Sequence, residues 1–175
     1  MQGYARICGW TLKKPQFQES ISMTKYTPSL LHGSCECGTC TLDAKVIPTA
    51  RLICHCTICQ RFMGKSFSDV TVIAAKQLEV KNIEQISFKK YRPPPNLARG
   101  LCLNCKKPVV EFIGFGPFKL AFIPSSNFES QHLLPAPYMH IFYEKRLENA
   151  PDNLPKYNGY ISSQLAIGKM LISRL

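Results

Sequence analysis

The segment that decides the fold is Cys35-Glu36-Cys37-Gly38-Thr39-Cys40, and it is followed by Cys54-His55-Cys56-Thr57-Ile58-Cys59 and by the pair Cys102 and Cys105. Side chains of an extended chain alternate, so both sulfurs of a C-x-C segment can reach one ion, whereas C-x-x-C folds back as a knuckle. Zinc prefers four ligands in a tetrahedron, and thiolates are strong structural partners for it. Spacing alone leaves two assignments open: two four-cysteine sites, or one four-cysteine and one three-cysteine site with a spare thiol.

The cysteine pattern favours metal binding over disulfides. The chain has nine cysteines, an odd number, and six of them lie in two clusters too tight for relaxed disulfides. A secretory signal would need apolar residues where the chain has Lys13, Lys14 and Pro15. We therefore expect the protein to lie in a reducing compartment inside the cell, with the cytoplasm as the favoured location. The ending Ser173-Arg174-Leu175 resembles a peroxisomal address, which gives the alternative location for a eukaryotic protein.

Charge and hydropathy narrow the classes of partner. The formal net charge is +11, which suggests nucleic acid as a partner, but the bases are spread as short pairs such as Lys89 and Lys90. If seven thiolates held two Zn²⁺ ions, the net charge would fall to about +8. A solvated basic surface that attracts small anions is therefore favoured over a nucleic-acid site. No apolar run approaches the roughly 18 residues that span a bilayer, so we expect no membrane partner.

Short runs rich in β-branched and aromatic residues predict a mainly β, mostly antiparallel core. They cover residues 42–46, 70–74, 86–91, 109–115, 118–123 and 139–143. Turn-forming segments separate them: Arg92-Pro93-Pro94-Pro95-Asn96, Gly114-Phe115-Gly116-Pro117 and Pro124-Ser125-Ser126-Asn127. We expect an N-terminal extension over residues 1–24, one zinc domain over 25–160 and a tail over 161–175. Ile161, Leu165 and Ile172 are near helical spacing, which favours a short helix in that tail that packs on the core or on a partner.

The three cysteine blocks give the chain a family resemblance. Gly33-Ser34-Cys35-Glu36-Cys37-Gly38, then Cys54 to Cys59 with Arg61 and Gly64 behind them, then Cys102 with Cys105 are similar, in order, to the signature blocks of the glutathione-dependent formaldehyde-activating enzyme (GFA) family. Pro137-Tyr138-Met139-His140-Ile141 and the segment 152–157 resemble its closing segments. The resemblance covers roughly residues 30 to 160 and implies a zinc-stapled β-tent of two small sheets with little helix.

The resemblance also implies a division of labour between two Zn²⁺ ions. Cys35, Cys37, Cys102 and Cys105 would hold a structural zinc, while Cys54, Cys56 and Cys59 would hold a catalytic zinc with one position open. A thiol entering that position would be deprotonated and could attack an aldehyde. The implied activity is that of a carbon-sulfur lyase that joins a thiol such as glutathione to an aldehyde such as formaldehyde.

Further residues in or near these segments have candidate roles. His140 is a general acid for the developing alkoxide or a hydrogen-bonded core histidine, and Arg61 binds a carboxylate of the thiol or is simply exposed. His55 should face away from the metal, and Cys40 is interpreted as a buried thiol rather than an eighth ligand. Gln60 and Lys106 depart from the family pattern, which usually has a basic residue and a glycine there.

A noncatalytic zinc module that binds protein or nucleic acid is the alternative function, because related β-tents serve such roles and fold does not fix function. The alternative requires the second site to be closed by a fourth protein ligand, such as Cys40.

Overall fold

A computed structural model describes residues 30–91 and 97–174 of the 175-residue chain. The expected extension over residues 1–24, the proline-rich turn at 92–96 and Leu175 lie outside the described residues. The described part is mainly β, with two α-helices and several single turns of 3₁₀ helix. None of its helices combines the length and apolar character needed to cross a membrane.

Ten strands and two helices follow one another along the described part of the chain. They are β1 Leu31–Ser34, β2 Thr41–Ala44, β3 Ala50–Cys54, α1 Thr57–Met63, β4 Ser68–Ala74, β5 Leu78–Lys81, β6 Ile86–Lys90, β7 Ala98–Cys102, β8 Pro108–Ile113, β9 Leu120–Pro124, β10 His140–Ile141 and α2 Tyr160–Arg174. Each of the six predicted strand regions overlaps a strand: β2, β6, β8 and β9 are one residue shorter than predicted, β10 is three residues shorter and β4 is two residues longer. The strands β1, β3, β5 and β7 and the helix α1 were not predicted.

The strands form two sheets, as the zinc-stapled β-tent requires. The small sheet has the order β1-β2-β5, and the large sheet has the order β10-β3-β4-β9-β8-β7-β6. Pairing is antiparallel throughout except between β10 and β3, where His140 and Ile141 lie opposite Ile53 and Cys54 in parallel register. The expectation of a mostly antiparallel core is therefore confirmed.

Two apolar cores lie on opposite faces of the large sheet. One face contacts the small sheet, since Leu31 and Leu42 share a buried cluster with Ile73 and Val109. The other face is covered by α2, where Met170 packs with Leu52 and Val72. Val72 and Ile73 are neighbours on β4 that serve different cores, because successive side chains of a strand point to opposite faces.

The small sheet approaches the rest of the molecule closely at Gly33. Gly33 forms an isolated antiparallel bridge with Phe128. A Cβ atom at this position would lie 2.5 Å from the carbonyl oxygen of Asn127, so only glycine permits the approach. The glycine that opens the first signature block is thus required by the contact between the small sheet and the 124–128 segment.

The C-terminal helix is confirmed, and it packs on the core by the face opposite the apolar residues from which it was predicted. Ile161, Leu165 and Ile172 remain 75%, 71% and 89% exposed, whereas Ser163, Ala166 and Met170 are buried. Ile161, Leu165 and Ile172 do share a face, but the helix is docked by the opposite side, where small residues allow close approach to the sheet. Spacing alone did not say which of the two apolar faces would be covered.

Candidate metal centres

Four cysteine sulfurs converge where β1 and β7 end. Cys35, Cys37, Cys102 and Cys105, here called the four-sulfur cluster, place all their sulfurs within 4.8 Å of one another. Cys35 Sγ lies 3.6 Å from Cys37 Sγ, and Cys37 Sγ lies 3.8 Å from Cys102 Sγ. A tetrahedron with zinc–sulfur bonds of about 2.3 Å has edges of about 3.8 Å. The cluster therefore fits a zinc ion.

Polar contacts favour the thiolate form of Cys37 in the four-sulfur cluster, whereas burial raises the pKa of Cys105 to about 11. The Cys40 backbone N–H donates to Cys35 Sγ over 3.3 Å, and the Asn104 amide donates to Cys37 Sγ over 3.4 Å. A hydrogen bond with Thr39 is the main cause that lowers the pKa of Cys37 to about 5. Thiolates are the form that binds metal, so these contacts prepare the cluster for a cation.

Cys40 is a buried thiol, as interpreted from the sequence. Its sulfur lies 3.9 Å and 3.8 Å from the carbonyl oxygens of Asn82 and Gln85, and burial raises its pKa to about 12. It belongs to neither of the two groups of metal-type ligands found among the described residues. Cys40 lies beside the four-sulfur cluster, so it cannot close the other one.

Three sulfurs form a second group at the end of β3 and the start of α1. Cys54, Cys56 and Cys59, here called the three-sulfur cluster, also lie within 4.8 Å of one another. Cys56 caps α1, and its sulfur accepts the backbone N–H of Cys59 over 3.3 Å. Hydrogen bonds from the Cys54 and Cys59 thiols lower the pKa of Cys56 to about 2, while the same bond to Cys56 raises the pKa of Cys54. A divalent cation can replace the protons shared among these sulfurs, so the donor set fits zinc with three protein ligands.

A cavity of about 280 Å³ opens beside the three-sulfur cluster, and all three of its cysteines line the wall. Leu52, Val70 and Phe122 contribute from the large sheet, and Ile167 and Leu171 contribute from α2. The four-sulfur cluster, by contrast, has a complete set of four protein ligands. The three-sulfur cluster is thus the group with room for a further, non-protein ligand.

An ion pair that the sequence analysis missed lies at the same cavity. Arg99 on β7 and Glu111 on β8 are cross-strand partners, and Arg99 Nε lies 2.7 Å from Glu111 Oε2. Arg99 also points a guanidinium nitrogen at Cys59 Sγ over 3.6 Å. Burial raises the pKa of Glu111 to about 7. One signal was available in the sequence, since Glu111 interrupts the apolar run from Val109 to Ile113.

His140 lies away from the three-sulfur cluster. His140 follows the alternation of β10, so Ile141 lines the cavity while His140 lines a separate hollow with His55. The two rings are joined by a 2.8 Å contact between His55 Nε2 and His140 Nδ1, and His140 Nε2 lies 2.9 Å from Asp152 Oδ2. Burial lowers the pKa of His55 to about 4, so its ring is uncharged near neutrality. His55 faces away from the cysteines, as alternation predicts.

The remaining singled-out residues have local roles. Arg61 is exposed in the last turn of α1 and does not line the cavity. Gln60 donates from Nε2 to the carbonyl oxygens of His55 and Lys145, over 2.7 and 2.8 Å, which ties α1 to the 143–145 turn. Lys106 has a φ of 58°, which explains the family's preference for glycine at that position.

The chain is similar to a known protein family and to a solved structure. The model of the glutathione-dependent formaldehyde-activating enzyme family matches residues 30–145, about two thirds of the chain. No curated protein matches the chain. Among solved structures, a Rhodobacter sphaeroides protein is 14% identical, with a TM-score of 0.48, and the match covers 73% of this chain and 99% of that one. By the family match, the chain belongs to the glutathione-dependent formaldehyde-activating enzyme family.

Proposed function

We propose that this chain is a zinc-dependent enzyme that forms a carbon–sulfur bond by adding a thiol to an aldehyde, or breaks that bond in the reverse reaction. The observation that carries the proposal is the contrast between the two clusters. The four-sulfur cluster has its full set of protein ligands, whereas the three-sulfur cluster lines a cavity of about 280 Å³. Catalytic zinc sites keep one position for water or substrate, whereas structural sites are closed.

In this proposal Cys54, Cys56 and Cys59 hold the ion, and the bound ion supplies the positive charge that favours the thiolate of an incoming thiol. Three protein thiolates leave the centre with one net negative charge. The Arg99 guanidinium, 3.6 Å from Cys59 Sγ, offsets part of that charge. Glu111 on the neighbouring strand β8 keeps Arg99 in place by an ion pair, with 2.7 Å between Arg99 Nε and Glu111 Oε2.

The addition balances as follows. The thiol loses its proton, its sulfur forms a bond to the carbonyl carbon, and the carbonyl oxygen takes up a proton as the C=O π bond breaks. Besides the cysteines, the titratable side chains that line the cavity in the described residues are Arg99 and Glu111. Glu111 or a water molecule, rather than His140, would therefore give the proton to the oxygen.

The test is zinc content together with X-ray absorption at the zinc edge, on the wild type with and without glutathione. We expect two zinc ions per chain, one with four sulfurs and one with three sulfurs and a light atom that a thiol replaces. Cys56→Ser should lose one ion and the response to thiol, while Cys40→Ser, the matched control, should keep both. Two closed four-sulfur sites that ignore the thiol would rule out the enzyme and favour a noncatalytic module that binds protein or nucleic acid.

A further inference from the structure

We propose that the substrate of the three-sulfur cluster carries an uncharged apolar group of about six carbons, on the thiol or on the aldehyde, instead of the charged arms of glutathione. The inference rests on the proposed function, since it names the substrate class of the same site. It follows from three properties of the cavity: its lining, its charge balance and the element that forms its outer wall.

The lining is dominated by aliphatic and aromatic side chains. Leu52, Val70, Phe122 and Ile141 come from the large sheet, and Ile167 and Leu171 come from α2. The volume of about 280 Å³ is near the lower end of the roughly 300–1,000 Å³ range of small-molecule sites. Formaldehyde would leave most of this space unfilled. A six-carbon group would occupy it and remove apolar surface from water.

The charges in the cavity are already balanced among themselves. Among the described residues, Arg99 is the cationic side chain of the lining; it is 7% exposed, and it is engaged by Glu111 over 2.7 Å and by Cys59 over 3.6 Å. Three thiolates on a divalent ion would add one net negative charge beside this pair. A carboxylate entering the cavity would meet no unengaged cation among the described lining residues and would lose its hydration, which is costly. An uncharged substituent avoids that cost.

The outer wall belongs to a part of the chain that the family match does not include. The matched residues end at 145, whereas Gln164, Ile167, Gly168 and Leu171 line the cavity from α2. Met170 and Ala166, buried on the same helix, fix this wall against the sheet. The apolar wall is therefore a feature of this chain beyond the matched segment. It is the place where the substrate preference can differ from the glutathione and formaldehyde in the family's name.

The first experiment is isothermal titration calorimetry of the zinc-loaded full chain with benzyl mercaptan, 2-mercaptoethanol and glutathione. Each methylene buried in such a lining strengthens binding about fourfold. If the apolar group is on the thiol, benzyl mercaptan should bind more than about tenfold tighter than either of the other two. The second arm measures adduct formation above the uncatalysed rate with hexanal and with formaldehyde, using 2-mercaptoethanol as the thiol. A more than tenfold preference for hexanal places the group on the aldehyde.

The matched variants are Gly168→Leu and Lys169→Leu. Gly168 lines the cavity, and a Cβ there would meet no atom within 4 Å, so a leucine can extend into the space without disturbing the helix. We expect Gly168→Leu to abolish the preference for the apolar partner. Lys169→Leu places the same side chain on the exposed side and should keep the preference.

The outcomes separate the inference from the function on which it rests. If glutathione binds tightest and formaldehyde reacts fastest, the apolar substrate is overturned and the thiol–aldehyde enzyme stands. An unchanged preference in Gly168→Leu would also overturn it, because the preference would then not arise in this cavity. If no thiol binds and no adduct forms, the proposed function itself fails.

Discussion

At the scale of single residues, Lys106 is a strained position next to Cys105 of the four-sulfur cluster. Its φ of 58° lies in the left-handed region, where a side chain costs about 1 kcal/mol that glycine avoids, and its N–H donates to the Cys102 carbonyl over 3.0 Å. We expect Lys106→Gly to raise the free energy of unfolding by about 0.5–1 kcal/mol, measured by denaturant titration in saturating zinc. Lys107→Gly, without the positive φ, should give no gain. If Lys106→Gly and Lys107→Gly changed the free energy of unfolding equally, Lys106 would not be strained.

The same scale shows what the cysteine spacing could and could not predict. Local chain geometry brings Cys35 to Cys37, and Cys54 to Cys56 and Cys59, as their spacing predicted, but Cys40 belongs to neither group. Spacing alone did not predict that Cys102 and Cys105 would complete the first group, which followed only from the family resemblance. The pairing of Arg99 with Glu111 was not predictable in this way, since it depends on the register between β7 and β8. The position of His140 also depended on register, because a shift of one residue along β10 would have turned it toward the cysteines.

At the scale of elements, the docking of α2 gives a direct test of which face is covered. Met170 is fully buried against Leu52 and Val72, whereas Ile172 is 89% exposed. We expect Met170→Ala to lower the free energy of unfolding by about 2–5 kcal/mol, because it leaves a void in the core. Ile172→Ala should change the free energy of unfolding by no more than about 0.5 kcal/mol. Thermal and denaturant unfolding of both variants would check this, and a larger loss for Ile172→Ala would show that the helix packs by its other face.

The missed elements β1, β7 and α1 each have a physical reason. The strand β1 contains His32 and Gly33, and β7 contains Arg99 and Gly100, so their polar and glycine residues hide the β pattern. Both glycines sit where another part of the chain approaches closely, which is a property of the tertiary structure. The helix α1 was missed because its first turn carries Cys59, and the C-x-x-C segment was interpreted as a knuckle only. The predicted strands β4, β8 and β9, in contrast, carry apolar runs that are buried in the two cores.

At the scale of the whole molecule, the two clusters connect different parts of the architecture. The four-sulfur cluster joins the end of β1 in the small sheet to the end of β7 in the large sheet. The three-sulfur cluster joins β3 only to α1, the helix that follows it directly in the chain. A metal that closes a long loop constrains the unfolded chain more than one that closes a short loop. The four-sulfur cluster should therefore contribute more to stability, and the three-sulfur cluster can be used for chemistry.

This difference predicts unequal effects of losing one ligand from each cluster. Cys102→Ser and Cys59→Ser should each lose one zinc, because each removes a buried ligand, but Cys102→Ser should lower the free energy of unfolding by more than about 3 kcal/mol. Cys59→Ser should lose less than half as much, since the two sheets remain joined. Zinc content by emission spectrometry and denaturant unfolding in the same buffer measure both effects. Equal destabilisation by the two changes would mean that the three-sulfur cluster also holds the fold together, and the separation of a stabilising centre from a reactive one would be wrong.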